Sequence, residues 1–269
     1  MSQLHNQAPH PPGLAVILIG DDPASQVYVH HKARACADCG IYSETHRISS
    51  DQSETHVLEL IHRLNTSENI DGILLQLPLP KGWDSEKLLL AISPNKDVDG
   101  LHLQNQGLLY VQKARFIPCT PKGIMKILNT FQIPLEGSKV LVIGRSALVG
   151  RPIATLLTQA NATVTIAHSK TRDLKDLTGS HDIIVVAAGK PQMIKSDWVQ
   201  PNTTIIDVGI HKVDNRLVGD VDPSALAISK AHTPVPGGVG PMTIAMLLEN
   251  CFESWVYRHQ ISSSSNEDI

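Results

Sequence analysis

Cysteine, basic charge and long apolar runs are all scarce in this chain of 269 residues. The formal net charge is -3, so the chain lacks the basic excess of a protein that binds nucleic acid. No apolar run approaches the length that crosses a bilayer, and the leader 1–13 lacks the basic and apolar regions of a secretory signal. We therefore expect a cytoplasmic protein that binds neither nucleic acid nor membranes.

The four cysteines are too few for a disulfide framework in a chain of this length. The pair Cys36 and Cys39 lacks the second pair of ligands that a structural zinc site needs. Both also fall near the end of a predicted helix. We expect them to be structural and to bind no metal.

What the chain does contain is a regular alternation of apolar runs and helical segments. The predicted strands are residues 14–19, 41–48, 72–78, 139–143, 163–167, 182–187 and 204–208, with a hairpin arm at 216–218. The predicted helices are residues 24–39, 54–64, 85–91, 121–131 and 242–259. This alternation predicts an α/β fold with mostly parallel sheets, and the length suits two domains.

An irregular pattern between Gly107 and Pro121 predicts the domain boundary, with Pro121 in the first turn of the next helix. We assign residues 1–120 to a first domain and residues 121–241 to a second, Rossmann-like domain. The serine-rich and acidic residues 260–269 predict a disordered tail.

A glycine turn joins strand 139–143 to the helix that is predicted to begin near Val149. Gly144 would make the tight turn and Gly150 would let the helix pack close to the strand, but Ser146 replaces the second glycine of the common G-x-G-x-x-G pattern. The N–H groups at the start of such a helix suit a pyrophosphate. From the residues alone, the turn is either a dinucleotide site or an ordinary packing device.

The next strand ends in the polar residues 168–172, where dinucleotide folds usually place an acid that binds ribose hydroxyls. Here no carboxylate would repel a 2′-phosphate, and Arg145 adds a cation beside the turn. This composition favours NADP over NAD. The alternative is that these are solvated surface charges.

Tyr28 and Lys32 are four residues apart on a predicted helix, so their side chains lie on one face within reach of one shared ligand. The alternative is a solvated lysine beside a tyrosine that covers the edge of the core. A tyrosine ring stacks on flat heterocycles, and a partly desolvated lysine moves protons near neutral pH.

Gln76 stands at the carboxyl end of a strand, where α/β sheets bind ligands. Asp97 and Asp99 follow in a loop and are predicted either to bind a ligand or to form a turn.

Residues 234–241 combine fixed proline angles with glycines that lack a Cβ atom. Such a loop keeps one shape and lets a ligand approach the backbone closely. A plain structural loop is the alternative, and the position before the last helix favours a ligand-facing role.

Together these motifs resemble the bifunctional methylenetetrahydrofolate dehydrogenase/methenyltetrahydrofolate cyclohydrolase family, from Gly13 to about Tyr257. The resemblance rests on YVHHK at 28–32, DGILLQLPLP at 71–80, KDVDG at 96–100, PCTP at 118–121, GRSALVGRP at 144–152 and PVPGGVGPMT at 234–243. The glycine turn now fits a pattern, because the family's own turn is G-x-S-x-x-V-G.

The resemblance implies NADP-dependent oxidation of 5,10-methylenetetrahydrofolate, then hydrolysis of the 5,10-methenyl product to 10-formyltetrahydrofolate, in one-carbon metabolism linked to purine biosynthesis. In the implied roles, Lys32 assists water attack and proton transfer, Gln76 orients Lys32, Asp99 binds the pterin edge and Tyr28 stacks beside the folate. The other implied substrate-binding residues are Pro236, Gly237 and Gly238. The implied cofactor-binding residues are Gly144, Arg145, Ser146, Val149, Gly150, Ser169 and Ile210, with Arg145 and Ser169 fitting the 2′-phosphate.

The resemblance further implies a homodimer and a cleft between the two domains, with the helix 242–259 returning to the first domain. Members of the family normally carry another strand and helix before the segment at Leu14, where this chain has thirteen residues. This shorter leader removes no motif residue, but we expect it to reduce stability and coverage of the sheet edge. Two alternatives stay open: a dehydrogenase with weak or absent cyclohydrolase activity, and a non-catalytic module that binds a nucleotide or folate.

Overall fold

The computed structural model describes residues 10–260, which form two compact units. The first unit comprises residues 10–107, 115–117 and 247–260, and the second comprises residues 108–114 and 118–246. Both units mix parallel strands with helices, so the predicted α/β class is confirmed. The disorder predicted for the tail falls almost entirely on residues 261–269, which lie outside the described residues.

The first unit is built on a parallel sheet with the strand order β2-β1-β3. Its strands are β1 (Gly13–Ile19), β2 (Tyr42–Ile48) and β3 (Gly72–Leu75), and its helices include α1 (Pro23–Asp38), α2 (Glu54–Thr66) and α3 (Ser85–Ala91). Every residue of β1 is buried, because this central strand is covered on both faces. That burial explains the continuous apolar run in the sequence.

The start of α1 is fixed by the residues that precede its apolar positions. The Asp22 side chain accepts a hydrogen bond from the Ser25 N–H, and Pro23 occupies the first turn, where its missing N–H has no consequence. Gly40, with a φ of 70°, follows the end of the helix and turns the chain towards β2. These signals place Tyr28 and Lys32 on one helix, as the sequence predicts.

The second unit contains a parallel sheet with the strand order β10-β7-β6-β4-β5. Its strands are β4 (Lys139–Ile143), β5 (Thr163–Ala167), β6 (Ile183–Val186), β7 (Thr204–Asp207) and β10 (Ala231–His232), with a separate hairpin of β8 (His211–Val213) and β9 (Arg216–Val218). Its helices include α5 (Cys119–Thr130), α6 (Gly150–Gln159), α7 (Leu174–Thr178) and α8 (Pro223–Ile228). The strand order reverses between β4 and β6, and doubly wound sheets bind ligands outside the carboxyl ends of the strands at this point.

The structure differs from the predicted elements at several places. Helix α4 (Leu103–Tyr110) fills the start of the segment predicted to be irregular, because Gly107 and its polar neighbours hide the helical period. Strand β3 ends at Leu75, before the predicted end at Pro78, a residue with no N–H to donate to a sheet. Helix α9 (Val239–Arg258) begins three residues before the predicted Met242, and the two-residue strand β10 was not predicted.

Part of α9 belongs to each unit, since residues from Leu247 onwards cluster with the first unit. In that unit the Asn250 Nδ2 donates to the Val98 carbonyl at 2.8 Å. Asp71, which is fully buried, accepts a hydrogen bond from Arg258 Nη1 at 2.6 Å. Across residues 10–260, none of the helices combines the length and apolar character that crossing a bilayer requires.

Candidate functional site

The structure brings Lys32 of α1 and Gln76 at the end of β3 together. The Lys32 side chain is 8% exposed, and its Nζ donates to the Gln76 Oε1 at 2.9 Å. The amide of Gln76 is fixed in turn, because its Nε2 donates to the Leu77 carbonyl and its backbone N donates to the Ile17 carbonyl. A rigid acceptor therefore orients the ammonium group, which is sheltered from bulk water.

Tyr28 lies one helical turn before Lys32 on α1 and is half-buried. Burial raises the pKa of the Tyr28 phenol above its usual value, and the hydroxyl is protonated at neutral pH with or without this shift. A neutral aromatic ring beside an oriented amine is suited to a flat, nitrogen-rich ligand.

The two aspartates of the 96–100 loop differ in their surroundings. The Asp97 carboxylate is buried and accepts hydrogen bonds from the Leu101 N–H, the His102 N–H and the Asn105 Nδ2. Burial raises the pKa of Asp97 to about 6. Asp97 thus organises the start of α4, as the turn-forming alternative predicts, whereas Asp99 is partly exposed and stays a candidate ligand.

In the second unit, the glycine turn after β4 has no room for a side chain at either of its two glycines. Gly144 adopts a φ of 130°, and a Cβ atom on it would lie 2.2 Å from the Ala187 carbonyl oxygen. A Cβ atom on Gly150 would lie 2.2 Å from the Gly144 carbonyl oxygen. Both glycines are therefore required by close backbone packing, and the turn leads directly into α6.

Ser146 and Val149 complete this turn. The Ser146 Oγ accepts hydrogen bonds from the Val149 N–H at 3.1 Å and from the Gly150 N–H at 3.4 Å. Ser146 therefore stabilises the turn with its side chain, where the common pattern uses a glycine. The N–H groups of Val149, Gly150 and Arg151 bond to Ser146 in this structure, so what the start of the ten-residue helix α6 offers an anion is the positive end of its dipole.

Arg145 and Ser169 emerge at the same edge of the second sheet. Ile143 of β4 pairs with Ala167 of β5, and each candidate lies two residues beyond its strand's last paired residue. Both side chains are exposed, and the segment 168–172 that follows β5 carries no carboxylate. This arrangement fits an anionic group held between the two strand ends.

The remaining predicted positions of the second unit are Ile210 and the loop 236–238. Ile210 follows β7 and is exposed, so its apolar side chain is available to a ligand. Gly237 has a φ of 105°, and a Cβ atom on Gly238 would lie 2.5 Å from the Pro234 carbonyl oxygen. The loop therefore needs both glycines to keep its shape before α9.

Sequence reasoning missed two buried carboxylates of the second unit, Asp207 at the end of β7 and Asp220. The Asp207 carboxylate accepts hydrogen bonds from the N–H groups of Gly209, Asp220 and Val221. Burial raises the pKa of the Asp207 carboxyl above its usual value, against the effect of these hydrogen bonds. The available signal was an aspartate at the carboxyl end of an apolar strand.

Comparison with known proteins identifies the family of both parts of the chain. Residues 1–99 match the family model of the tetrahydrofolate dehydrogenase/cyclohydrolase catalytic domain, and residues 118–259 match that of its NAD(P)-binding domain. The bifunctional protein FolD of Geotalea uraniireducens is 52% identical over 245 residues, which are 90% of this chain and 88% of that protein.

Two solved structures show the same fold. The bifunctional FolD enzyme of Campylobacter jejuni has a TM-score of 0.90 at 44% identity, covering 96% of this chain and 94% of that one. The Trypanosoma brucei FolD, solved with NADP cofactor and inhibitor, has a TM-score of 0.90 at 35% identity, covering 96% and 91%. This chain belongs to the tetrahydrofolate dehydrogenase/cyclohydrolase family and is an enzyme with a catalytic domain and an NAD(P)-binding domain.

Proposed function

We propose that this enzyme oxidises 5,10-methylenetetrahydrofolate with NADP and then hydrolyses the 5,10-methenyl product to 10-formyltetrahydrofolate. The observation that carries the proposal is the hydrogen bond between Lys32 Nζ and Gln76 Oε1, with Tyr28 one turn away on the same helix. An oriented amine beside an aromatic ring serves a reaction that needs proton transfer at a flat heterocycle.

In the hydrolysis, a water oxygen bonds to the bridge carbon and the bond from that carbon to N5 of the folate breaks. N5 takes one proton of the water, and the other is released to solvent. Lys32 assists the attack and carries the proton between these atoms, while Gln76 holds the Lys32 amine in place. Tyr28 stacks beside the folate, and the partly exposed Asp99 accepts hydrogen bonds from its amino-pyrimidine edge.

The cofactor that fits the second unit is NADP, which when bound supplies the carbon that accepts the hydride of the one-carbon bridge. The glycine turn, with Ser146 and Val149, presents the start of α6 to the pyrophosphate. Arg145 and Ser169 bind the 2′-phosphate, because they project from neighbouring strand ends without a competing carboxylate. Ile210 contacts the cofactor through its exposed side chain, and Pro236, Gly237 and Gly238 contact the substrate.

We further propose that residues 1–120 with the helix 242–259 form the folate-binding domain and that residues 121–241 form the NADP-binding domain. In this proposal the protein is a cytoplasmic homodimer. Size-exclusion chromatography with light scattering would test the dimer, and a monomer at micromolar concentration would contradict it.

The function is tested by two absorbance assays on the purified protein. Methylenetetrahydrofolate with NADP should give the absorbance of reduced cofactor, with a slower rate when NAD replaces NADP. Separately supplied methenyltetrahydrofolate should lose its absorbance faster than in buffer alone. Oxidation without accelerated hydrolysis would identify a dehydrogenase alone, and failure of both assays would refute the proposal.

A further inference from the structure

A buried carboxylate holds the loop that follows β6 in the second unit. Asp220 is fully buried and accepts hydrogen bonds from the N–H groups of Ala188, Gly189 and Lys190 at 2.7, 2.9 and 2.9 Å. His211 donates to the same carboxylate through Nε2 at 2.7 Å. Successive N–H groups that converge in this way form a concavity for an anion, and here the protein's own carboxylate fills it.

The loop 188–190 lies on one side of the point where the strand order reverses, and the glycine turn lies on the other. The two are in direct contact: the Ala187 N–H donates to the Ile143 carbonyl at 2.8 Å, and the Ala187 carbonyl packs against Gly144. A displacement of the loop after β6 would therefore displace the turn that leads into α6. The position of this turn depends on what holds residues 188–190.

The backbone around Asp220 is held by Asp207 and by glycine. The Asp207 carboxylate accepts the Asp220 N–H at 2.9 Å. A Cβ atom on Gly209 would lie 2.5 Å from Asp220 Oδ1, and one on Gly219 would lie 1.9 Å from Asp207 Oδ2. Neither carboxylate would fit if these two positions carried side chains.

We propose that Asp220 is a positioning residue for the dinucleotide. Its carboxylate accepts the N–H groups of the loop 188–190 and fixes that loop against the glycine turn, so that the turn and the start of α6 keep the position in which they meet the pyrophosphate. This inference rests on the proposed NADP-dependent function. We expect Asp220 to affect cofactor binding and not hydrolysis, because Lys32 and Gln76 belong to the first unit.

The test replaces Asp220 by Asn, which keeps the shape of the side chain but offers one acceptor oxygen in place of two. NADP binding is measured by calorimetry, and hydrolysis of supplied methenyltetrahydrofolate is measured on the same preparation. Asp220→Asn should raise the Kd for NADP by about ten- to hundredfold and leave hydrolysis within about twofold. Asp222→Asn is the matched control, since Asp222 begins α8 and bonds Lys195 and Ser224, and it should change neither quantity.

A second pair of variants covers the case in which Asp220→Asn does not fold. His211→Phe removes one donor to the carboxylate and should raise the Kd about threefold or more, while His211→Gln keeps a donor and should restore most of the affinity. An unchanged Kd in folded Asp220→Asn, or an equal loss of NADP binding and hydrolysis, would overturn the inference. Wild-type protein that binds NADP without turnover would refute the proposed function alone, because the Kd comparison still decides the role of Asp220.

Discussion

The two units of this enzyme build their candidate sites in different ways. In the first unit, the site consists of functional groups on side chains, and the Lys32 amine is oriented by Gln76. In the second unit, the site consists largely of backbone, which is shaped by Gly144 and Gly150 and held by the buried Asp220. A single side-chain deletion in the first unit should therefore remove most of the hydrolysis, whereas cofactor binding in the second unit is lost by displacing its backbone.

The largest effect is expected at Lys32. Lys32→Met keeps the length and apolar stem of the side chain but removes the amine that moves the proton, so hydrolysis should fall by about 10²- to 10⁴-fold. Oxidation of methylenetetrahydrofolate requires no proton transfer and should change much less. Both rates are measured by absorbance. Lys87→Met, which removes an exposed ion pair with Glu54, is the control and should leave both rates unchanged.

Equal losses of oxidation and hydrolysis in Lys32→Met would contradict the role of this residue in proton transfer. They would assign Lys32 a structural part in the first unit instead. A circular dichroism melting curve on the same preparation would show such a loss of structure.

A smaller effect on a different quantity is expected at Gly144. Gly144→Ala introduces a Cβ atom 2.2 Å from the Ala187 carbonyl oxygen at a φ of 130°, so the turn must shift. The Kd for NADP should rise about tenfold or more, while hydrolysis is retained. Gly179→Ala is the control, because its Cβ atom would have ordinary contacts of 3.7 Å or longer. Unchanged NADP binding in Gly144→Ala would place the cofactor elsewhere.

A still narrower effect is expected at Arg145. Arg145→Ala removes a charge-assisted contact to the 2′-phosphate and should reduce the preference for NADP over NAD about tenfold. NAD lacks this phosphate, so kcat/KM with NAD provides the internal control and should stay constant. A parallel loss with both cofactors would show that Arg145 contacts a part that the two dinucleotides share.

The smallest effect is on stability and involves Lys96 of the first unit. Lys96 Nζ donates to the Leu64 and Ser67 carbonyls, and burial lowers the pKa of Lys96 to about 8. Between pH 8 and pH 10.5 the unfolded chain binds more protons at this group than the folded chain, so Lys96 makes the free energy of unfolding rise with pH. The free energy of unfolding of the wild-type protein minus that of Lys96→Met, measured by urea unfolding, should rise over this range. A constant difference would show that the pKa of Lys96 is not lowered.

Much of the fold could be predicted from local sequence. The run 140–143 is apolar because β4 is buried between β6 and β5, and the predicted strand 139–143 agrees with the structure. Helix α4 could not be predicted, since Gly107 interrupts its pattern and the buried Asp97 supplies the hydrogen bonds for its start. Long-range contacts decide such an element, and local propensity does not show them.

The candidate sites were predictable to different degrees for the same reason. Helical spacing placed Tyr28 and Lys32 together, but the partner Gln76 is 44 residues away and only the family resemblance joined it to them. The glycines of the turn were visible in the sequence because close packing requires them. Asp220 was not visible, because its partners at 188–190 are about 30 residues away and are backbone groups that every residue type provides.

The most direct test of this division measures both activities of Lys32→Met and Gly144→Ala side by side. We expect opposite patterns: Lys32→Met keeps NADP-dependent oxidation and loses hydrolysis, whereas Gly144→Ala loses oxidation at limiting NADP and keeps hydrolysis. If both variants lost the two activities in parallel, the assignment of proton transfer to Lys32 and of cofactor binding to the turn at Gly144 would be wrong.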